Sequence, residues 1–271
     1  MPVPARTAIR VISLPGARER RRSFAESAAA ADCAWEFFDA HATPANGLRY
    51  DAERVAGVYG RPLQAGELGC YSSHFALWRW LADADCEQLI VLEDDVVADW
   101  EFIREIGAVP LAGRGIEYLR LFAKMPAPWR CVASPYFDTY RHLIRFTGYA
   151  LGTQAYVLSK AGAVRLLRRG ASVEAPVDVY MDRTWDHGVL NLAVYPFPVY
   201  ERHQRSSIGE DRFRDPGPPS SQMSLRNLCS RVRRRLHLLW AIHGFSPSRV
   251  RTLQRLLEAS AEAQPGAGPD P

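Results

Sequence analysis

The chain has 271 residues, 47% hydrophobic and 24% charged, which excludes a disordered or fibrous protein and leaves material for one large or two modest cores. No apolar run approaches the roughly 18 residues that a membrane span needs, and no long hydrophobic segment follows a basic N-terminus, so the expectation is synthesis and residence in the cytoplasm. The formal charge of +4 is uneven: residues 1–203 hold 23 Lys+Arg against 24 Asp+Glu, whereas 204–271 hold 11 against 6, so the basicity belongs to the C-terminal part.

Five cysteines (Cys33, Cys70, Cys86, Cys131, Cys229) are odd in number, widely spaced and without a C-x-x-C pair, a pattern that fits reduced thiols better than disulfides or a zinc knuckle. Lysine occurs only at 124 and 160 among 34 basic residues, an arginine bias that suggests a GC-rich bacterial coding sequence.

In chain order, residues 8–14 predict a buried strand, and Pro15-Gly16 turns into an Arg-rich helix with Phe24, Ala28 and Ala31 on its apolar side. A short strand at 35–38 completes a β-α-β alternation. Residues 39–63 form a long polar connection with room for one short helix. Leu68, Tyr71, Phe75, Trp78 and Leu81 then recur at three- and four-residue steps, predicting a helix over 65–82. Leu89-Ile90-Val91-Leu92 is the strongest strand signal and runs into Glu93-Asp94-Asp95. A helix at 100–106 follows, then strands at 118–122 and 143–146 separated by a Pro-rich loop, and a strand at 155–158. Ser159 reads as the N-cap of a helix over 160–169 that Gly170 ends. Residues 176–187 carry Asp178, Asp182, Asp186 and His187, and 189–195 is the last core strand. The sequence predicts a main α/β domain over 1–205, a polar linker at 206–221, a basic helical extension at 222–260 and a disordered tail at 261–271.

In open α/β sheets ligands gather at the carboxyl ends of strands, where loops and helix N-termini converge. Glu93-Asp94-Asp95 stands there. Adjacent carboxylates repel one another unless a hard cation joins them, and Mg²⁺ or Mn²⁺ takes such oxygen ligands while keeping sites for phosphates. A solvated acidic turn is the competing reading of any such triplet. Strand alternation would point Glu93 and Asp95 together and Asp94 away.

Three stretches, Gly66-Glu67-Leu68-Gly69-Cys70-Tyr71-Ser72-Ser73-His74, Leu77-Trp78 and Leu92-Glu93-Asp94-Asp95, together resemble the signature of glycosyltransferase family 25, which includes bacterial lipooligosaccharide galactosyltransferases. The likeness extends upstream through Val11-Ile12-Ser13-Leu14, Arg18-Glu19-Arg20-Arg21 and Phe37-Phe38-Asp39-Ala40, and downstream through 152–159 and Pro176-Val177-Asp178 to Asp182. It covers about residues 8–208. Ser13 and Pro15 depart from the pattern, which usually has Asn and Asp there.

The resemblance implies a GT-A-like α/β fold with a central, mostly parallel sheet, a UDP-sugar donor (UDP-galactose first), a lipid-linked or oligosaccharide acceptor such as lipopolysaccharide, Mn²⁺ or Mg²⁺ on Glu93 and Asp95, and inversion at the anomeric carbon. It also implies a donor-binding set of Leu14, Arg18, Arg21, Glu67, Ser73, His74, Asp94 and Thr153. Inversion by direct displacement needs a carboxylate near the acceptor hydroxyl, separate from the metal carboxylates. Asp178 and Asp182 are the candidates, on one helical face to which Asp186 would add. Blander roles stand beside these: Glu67 as a helix-start cap, His74 as a packed histidine, Arg18, Arg21 and Arg22 as a solvated helix face, one or both of Asp178 and Asp182 as a cap or as an ion-pair partner of Arg183 or another arginine, Thr153 and Gln154 as a strand edge.

Two competing functions are a Mg²⁺-dependent phosphotransfer or phosphatase domain, for which Leu14-Pro15-Gly16 lacks the usual nucleophilic aspartate, and a catalytically silent glycan-binding scaffold. Residues 222–257 hold eight arginines and no acid, with Leu225, Leu228, Val232, Leu236 and Leu239 at helical spacing. They read either as helices covering the domain or as a peripheral attachment to an anionic membrane surface. Nucleic acid is not an expected partner, since the aromatic platforms and motifs of such proteins are missing.

Overall fold

The computed structural model describes residues 6–202 and residue 232. The linker, the tail and, apart from the helical Val232, the basic extension read from the sequence lie outside the described residues.

The strands are β1 (Thr7–Ser13), β2 (Glu36–Asp39), β3 (Gln88–Glu93), β4 (Val96–Ala98), β5 (Tyr118–Arg120), β6 (Trp129–Ala133), β7 (His142–Phe146), β8 (Ala155–Ser159), β9 (Leu192–Tyr195) and β10 (Val199–Glu201). The helices are α1 (Arg18–Ser27), α2 (Ala52–Tyr59), α3 (Ala65–Asp83), α4 (Trp100–Ala108), α5 (Lys160–Gly170), α6 (Val177–Asp182) and α7 (Thr184–His187). Eight strands form one sheet in the order β2-β1-β3-β8-β5-β9-β7-β6, and β10 pairs with β4 as a separate two-stranded ladder. The sheet is mixed: β1, β2, β3, β5, β6 and β9 share a direction, and β7 and β8 run against them.

Burial on both faces explains why β3 reads as an unbroken apolar run. Leu89 and Val91 enter one core with Trp78, Leu81 and Leu166 of α3 and α5. Ile90 and Leu92 enter the other with Phe24, Phe102 and Ile106 of α1 and α4. Each such side chain contributes about 1.5–3 kcal/mol when fully buried, so the two layers hold β3 in register from both sides.

Helix α3 starts where Glu67 accepts from the Gln64 N–H at 3.0 Å, and α5 where Ser159 Oγ accepts from the Gly162 N–H at 3.2 Å. The connection over 40–50 crosses the N-terminal half of α3. A Cβ at Gly69 would lie 2.5 Å from the His41 carbonyl oxygen, so only glycine permits this approach. His41 N–H also donates to Ser73 Oγ at 2.9 Å, tying the connection to the helix.

Three elements differ from the sequence expectation. The loop before β7 contains β6, an edge strand whose residues Trp129, Arg130 and Cys131 are exposed, which erases the alternation a half-buried strand would show. The β4/β10 ladder joins two three-residue segments about a hundred positions apart, too short for a periodic signal. The last core strand is Leu192–Tyr195, because Val189 N–H is taken by His187 Nδ1 rather than by a neighbouring strand.

The glycines give a stability test. Gly57, inside α2, has open space where a Cβ would go, so Gly57→Ala should stabilise by about 0.5–1 kcal/mol through helix propensity. Gly69→Ala should instead destabilise by about 1–3 kcal/mol through overpacking. Urea denaturation midpoints of the two variants should move in opposite directions; a shared direction would refute the steric account of Gly69.

Candidate functional site

The two-sided burial of β3 sets where its terminal carboxylates point. Glu93 keeps the parity of Leu89 and Val91 and so faces α3, where Oε1 lies 3.7 Å from His74 Nε2 and accepts from Thr153 Oγ1 at 2.7 Å. Asp94 follows Ile90 and Leu92 toward α1, accepting from Ser13 Oγ at 2.6 Å and pairing with Arg20 at 3.3 Å. The backbone is pinned as well: Glu93 N–H donates to the Gln154 carbonyl, Asp94 N–H to Ile12 and Arg202 N–H to Asp95.

The three carboxyls titrate differently. Burial alone would raise Glu93, but the neighbouring His74 ring, with Thr153 and Lys124, outweighs it and holds Glu93 below the ordinary carboxylate range. Asp94 is raised by burial, partly offset by Ser13 and Arg20. Asp95 is pushed up to about 7, by burial first and then by the charges of Glu93, Asp94 and Glu201. Its Oδ1 is buried without a hydrogen-bond partner. An unsatisfied carboxylate oxygen held among like charges fits a hard divalent cation between Glu93 and Asp95.

Two cavities meet at these residues. The larger, about 290 Å³, is lined by Ser13 and Leu14 from the end of β1, Arg20, His41, Gly66, Ser73 and all three acidic residues. The smaller, about 50 Å³, is lined by Glu67, Lys124, Gly152, Thr153, Gln154, Asp178 and Glu201. Cys70, Glu93 and Asp95 belong to both.

Asp178 and Asp182 both lie on α6 but meet different surroundings. Asp178 is 2% exposed, accepts from the Val179 N–H at 2.8 Å and lines the smaller cavity. Asp182 pairs with Arg120 at 2.5 Å and also accepts from the Leu151 N–H at 2.8 Å and Asn191 Nδ2 at 2.7 Å. Burial raises its carboxyl, and Arg120 and Leu151 pull it back. With its oxygens committed to these three donors, Asp182 is an ion-pair partner rather than a base. Asp186 lies past the break at Arg183, on α7, and does not extend the face.

A family model described as Glycosyltransferase family 25 (LPS biosynthesis protein) matches residues 7–181. The chain belongs to glycosyltransferase family 25. It is 28% identical over 142 residues to a Glycosyltransferase 25 family member of Anopheles gambiae, covering 52% of this chain and 24% of that protein. Procollagen galactosyltransferase 1 of Danio rerio is 31% identical over 172 residues, 56% of this chain and 28% of the relative. Lacto-N-neotetraose biosynthesis glycosyltransferase LgtE of Neisseria gonorrhoeae is 35% identical over 88 residues, 32% of this chain and 31% of the relative. The matched parts thus span about a quarter to a third of each relative.

Within the family 25 match, the two cavities bring together most of the residues that the sequence singled out: Leu14, Glu67, Ser73, Glu93, Asp94, Asp95, Thr153 and Asp178. Three others take different places. Arg18 is exposed on the outer side of α1. Arg21 is engaged with Asp39 at 2.5 Å and the Ser13 carbonyl at 2.9 Å, clamping the ends of β1 and β2. His74 is wholly buried behind Glu93, with Nδ1 2.9 Å from the Tyr156 hydroxyl. Glu67 lines the smaller cavity but is also held by Arg61 at 2.7 and 2.9 Å and caps α3.

The sequence reading passed over Arg20, His41, Lys124 and Glu201. A signal existed for Arg20: it stands four residues before Phe24, the buried residue of α1, so the two share a face that Arg18 and Arg22 do not. Glu201, 3.1 Å from Lys124, is delivered by the β4/β10 ladder, which had no sequence signal. Among the described residues no disulfide forms and no helix is long and apolar enough to cross a membrane.

The assignments of Asp95 and Asp182 can be separated by stability. Because folding raises the Asp95 pKa from its ordinary value near 4 to about 7, the native state binds the extra proton and stability falls as pH rises through that window. With chelator present, Asp95→Asn should be more stable than wild type at pH 8, by no more than about 4 kcal/mol, and the gain should vanish near pH 4. A pH-independent difference would refute this. Asp182→Asn should cost about 3–5 kcal/mol by leaving Arg120 buried and unpaired; a thermal midpoint equal to wild type would return Asp182 to the list of candidate bases.

Proposed function

We propose that the protein is an inverting, metal-dependent hexosyltransferase of GT-A-like fold that moves galactose from UDP-galactose to a saccharide acceptor of the lipopolysaccharide type. The observation that carries this reading is the meeting of two cavities at Glu93 and Asp95, one running toward the end of β1 and Arg20, the other toward Asp178. A transferase needs its donor and acceptor on opposite sides of one reacting centre. Galactose as the sugar is supported by the names of relatives, one a procollagen galactosyltransferase and another a lacto-N-neotetraose biosynthesis enzyme.

In this reading the larger cavity takes the nucleotide and the smaller the acceptor hydroxyl. Mn²⁺ or Mg²⁺ held by Glu93 and Asp95 supplies positive charge that favours departure of the diphosphate. Arg20, already within 3.3 Å of Asp94, adds a guanidinium on the donor side that suits phosphate oxygens. Ser13 and Arg20 hold Asp94 away from Asp178, so the donor-side and acceptor-side carboxylates stay distinct. Asp178 removes the proton of the attacking hydroxyl as the new glycosidic bond forms on the face opposite the diphosphate. Gly152, at φ +78°, lets the chain turn so that Thr153 meets Glu93. Any peripheral attachment of the basic segment 222–257 to an anionic membrane would bring this site near a lipid-linked acceptor.

The test is transfer from a panel of UDP-sugars in the presence of Mn²⁺, followed by UDP release. Asp178→Asn should lower turnover by about 10² to 10⁴ while the UDP-galactose dissociation constant stays within a few-fold. Absence of turnover with every nucleotide sugar would overturn the transferase reading, and an unchanged turnover in Asp178→Asn would overturn the base assignment.

A further inference from the structure

Behind Glu93 runs a buried polar chain. Trp78, Tyr156 and His74 are each 0% exposed. Trp78 Nε1 lies 3.0 Å from the Tyr156 hydroxyl, the hydroxyl 2.9 Å from His74 Nδ1, and His74 Nε2 3.7 Å from Glu93 Oε1. The direction of each proton follows from what each group can do. An indole N–H only donates, so Tyr156 accepts from Trp78. The phenol then has one proton to place, and among the described residues its other recorded partner is His74 Nδ1. Were Nδ1 protonated, Tyr156 would face two donors and bury its own O–H unused, and a neutral ring would in addition turn the lone pair of Nε2, which has no hydrogen-bond partner, toward the Glu93 carboxylate. Tyr156 therefore donates to Nδ1, and a neutral ring carries its proton on Nε2, toward Glu93.

We infer that Trp78 and Tyr156 lock His74 in the Nε2-protonated tautomer, making His74 and Tyr156 positioning residues that orient Glu93 from behind while Thr153 holds the same oxygen from the other side. At 3.7 Å the His74 contact is longer than a formed hydrogen bond. In a dry interior the N–H dipole nevertheless favours a carboxylate that presents Oε1 to it. The tautomer also explains a juxtaposition that would otherwise suggest a soft-metal site: Cys70, His74 and Glu93 offer ligand atoms within 4.8 Å of one another. A protonated Nε2 has no lone pair to offer, which leaves Glu93 to act with Asp95 instead.

The positioning role rests on reading Glu93 as a metal carboxylate; the tautomer does not. Long-range ¹H–¹⁵N correlation spectra of the full chain at pH 7.5, with His74→Gln used to assign the ring, should show a protonated Nε2 and an unprotonated Nδ1. The opposite pattern, or averaged nitrogens, would overturn the inference. Mn²⁺ affinity, measured from the electron paramagnetic resonance of free Mn²⁺, then tests positioning without activity. His74→Leu should bind Mn²⁺ about 10–100-fold more weakly, the usual loss when a partner behind a ligand is removed. His74→Gln, which keeps an N–H at the same place, should stay within a few-fold of wild type. If His74→Leu does not unfold cooperatively, Tyr156→Phe replaces it: the lock is lost, the spectra should show mixed tautomers, and Mn²⁺ affinity should fall in the same direction. Wild-type affinity in these variants, or equal losses in the Leu and Gln variants, would overturn the positioning role. A wild-type protein that binds no Mn²⁺ would instead sink the metal reading and the positioning role with it, while the spectra still decide the tautomer.

Discussion

A strand buried on both faces and ending in three consecutive carboxylates creates an electrostatic demand that the surrounding elements must meet. The apolar layers fix β3 so firmly that Glu93, Asp94 and Asp95 cannot swing out together into water. Alternation sends the first toward α3 and the second toward α1, and each side supplies what its carboxylate needs. Thr153 and the buried His74 face Glu93, and Ser13 and Arg20 hold Asp94. Asp95, in the turn beyond the strand, gets no comparable compensation: Glu201 approaches from β10, and the nearest cations are committed elsewhere, Arg20 to Asp94 and Lys124 to Glu201. The imbalance is concentrated on one residue, Asp95, at the junction of the two cavities.

That concentration separates stability from chemistry. The compensated carboxylates help to hold the sheet end together, since Asp94 links β1 to β3 through Ser13 and β3 to α1 through Arg20. The uncompensated one adds repulsion in the absence of a cation. A site of this kind is tolerated only because the β3 layers and the β4/β10 ladder over-determine the backbone around it, with Arg202 N–H on the Asp95 carbonyl closing the turn.

How much of this could be read from the chain depends on whether the signal was local. The stripe of α3, the apolar run of β3 and the Ser159 cap are written in adjacent residues, and the elements stand within one or two positions of the expectation. The acidic triplet at a strand end was legible for the same reason. Strand direction was legible only in part: the β-α-β alternation suggests parallel neighbours, as β1 and β2 are, but β8 enters between β3 and β5 after the β6/β7 hairpin and arrives from the opposite end. Arg20 against Arg18 was decidable only through the burial of Phe24, one turn later. Lys124 and Glu201 carried no local sign, because they meet across 77 positions of sequence.

The same distinction decides between the two aspartates of α6. Their four-residue spacing places them on one side of a single helical turn, and nothing in that segment says which one is spent on structure. The answer comes from Arg120, 62 positions away and 1% exposed. Its guanidinium donates to Asp182, to Asn191 Oδ1 and to the carbonyls of Leu151 and Gly152. One buried arginine thereby joins α6, the approach to β9 and the segment leading into Thr153 and Gln154, and α6 and that segment line the smaller cavity. Its charge has to be matched inside the protein, and Asp182, the carboxylate within reach of the guanidinium, is the one that matches it. Asp178, one turn earlier, is thereby left on the cavity side, where a carboxylate can meet a hydroxyl without loosening the wall that holds it.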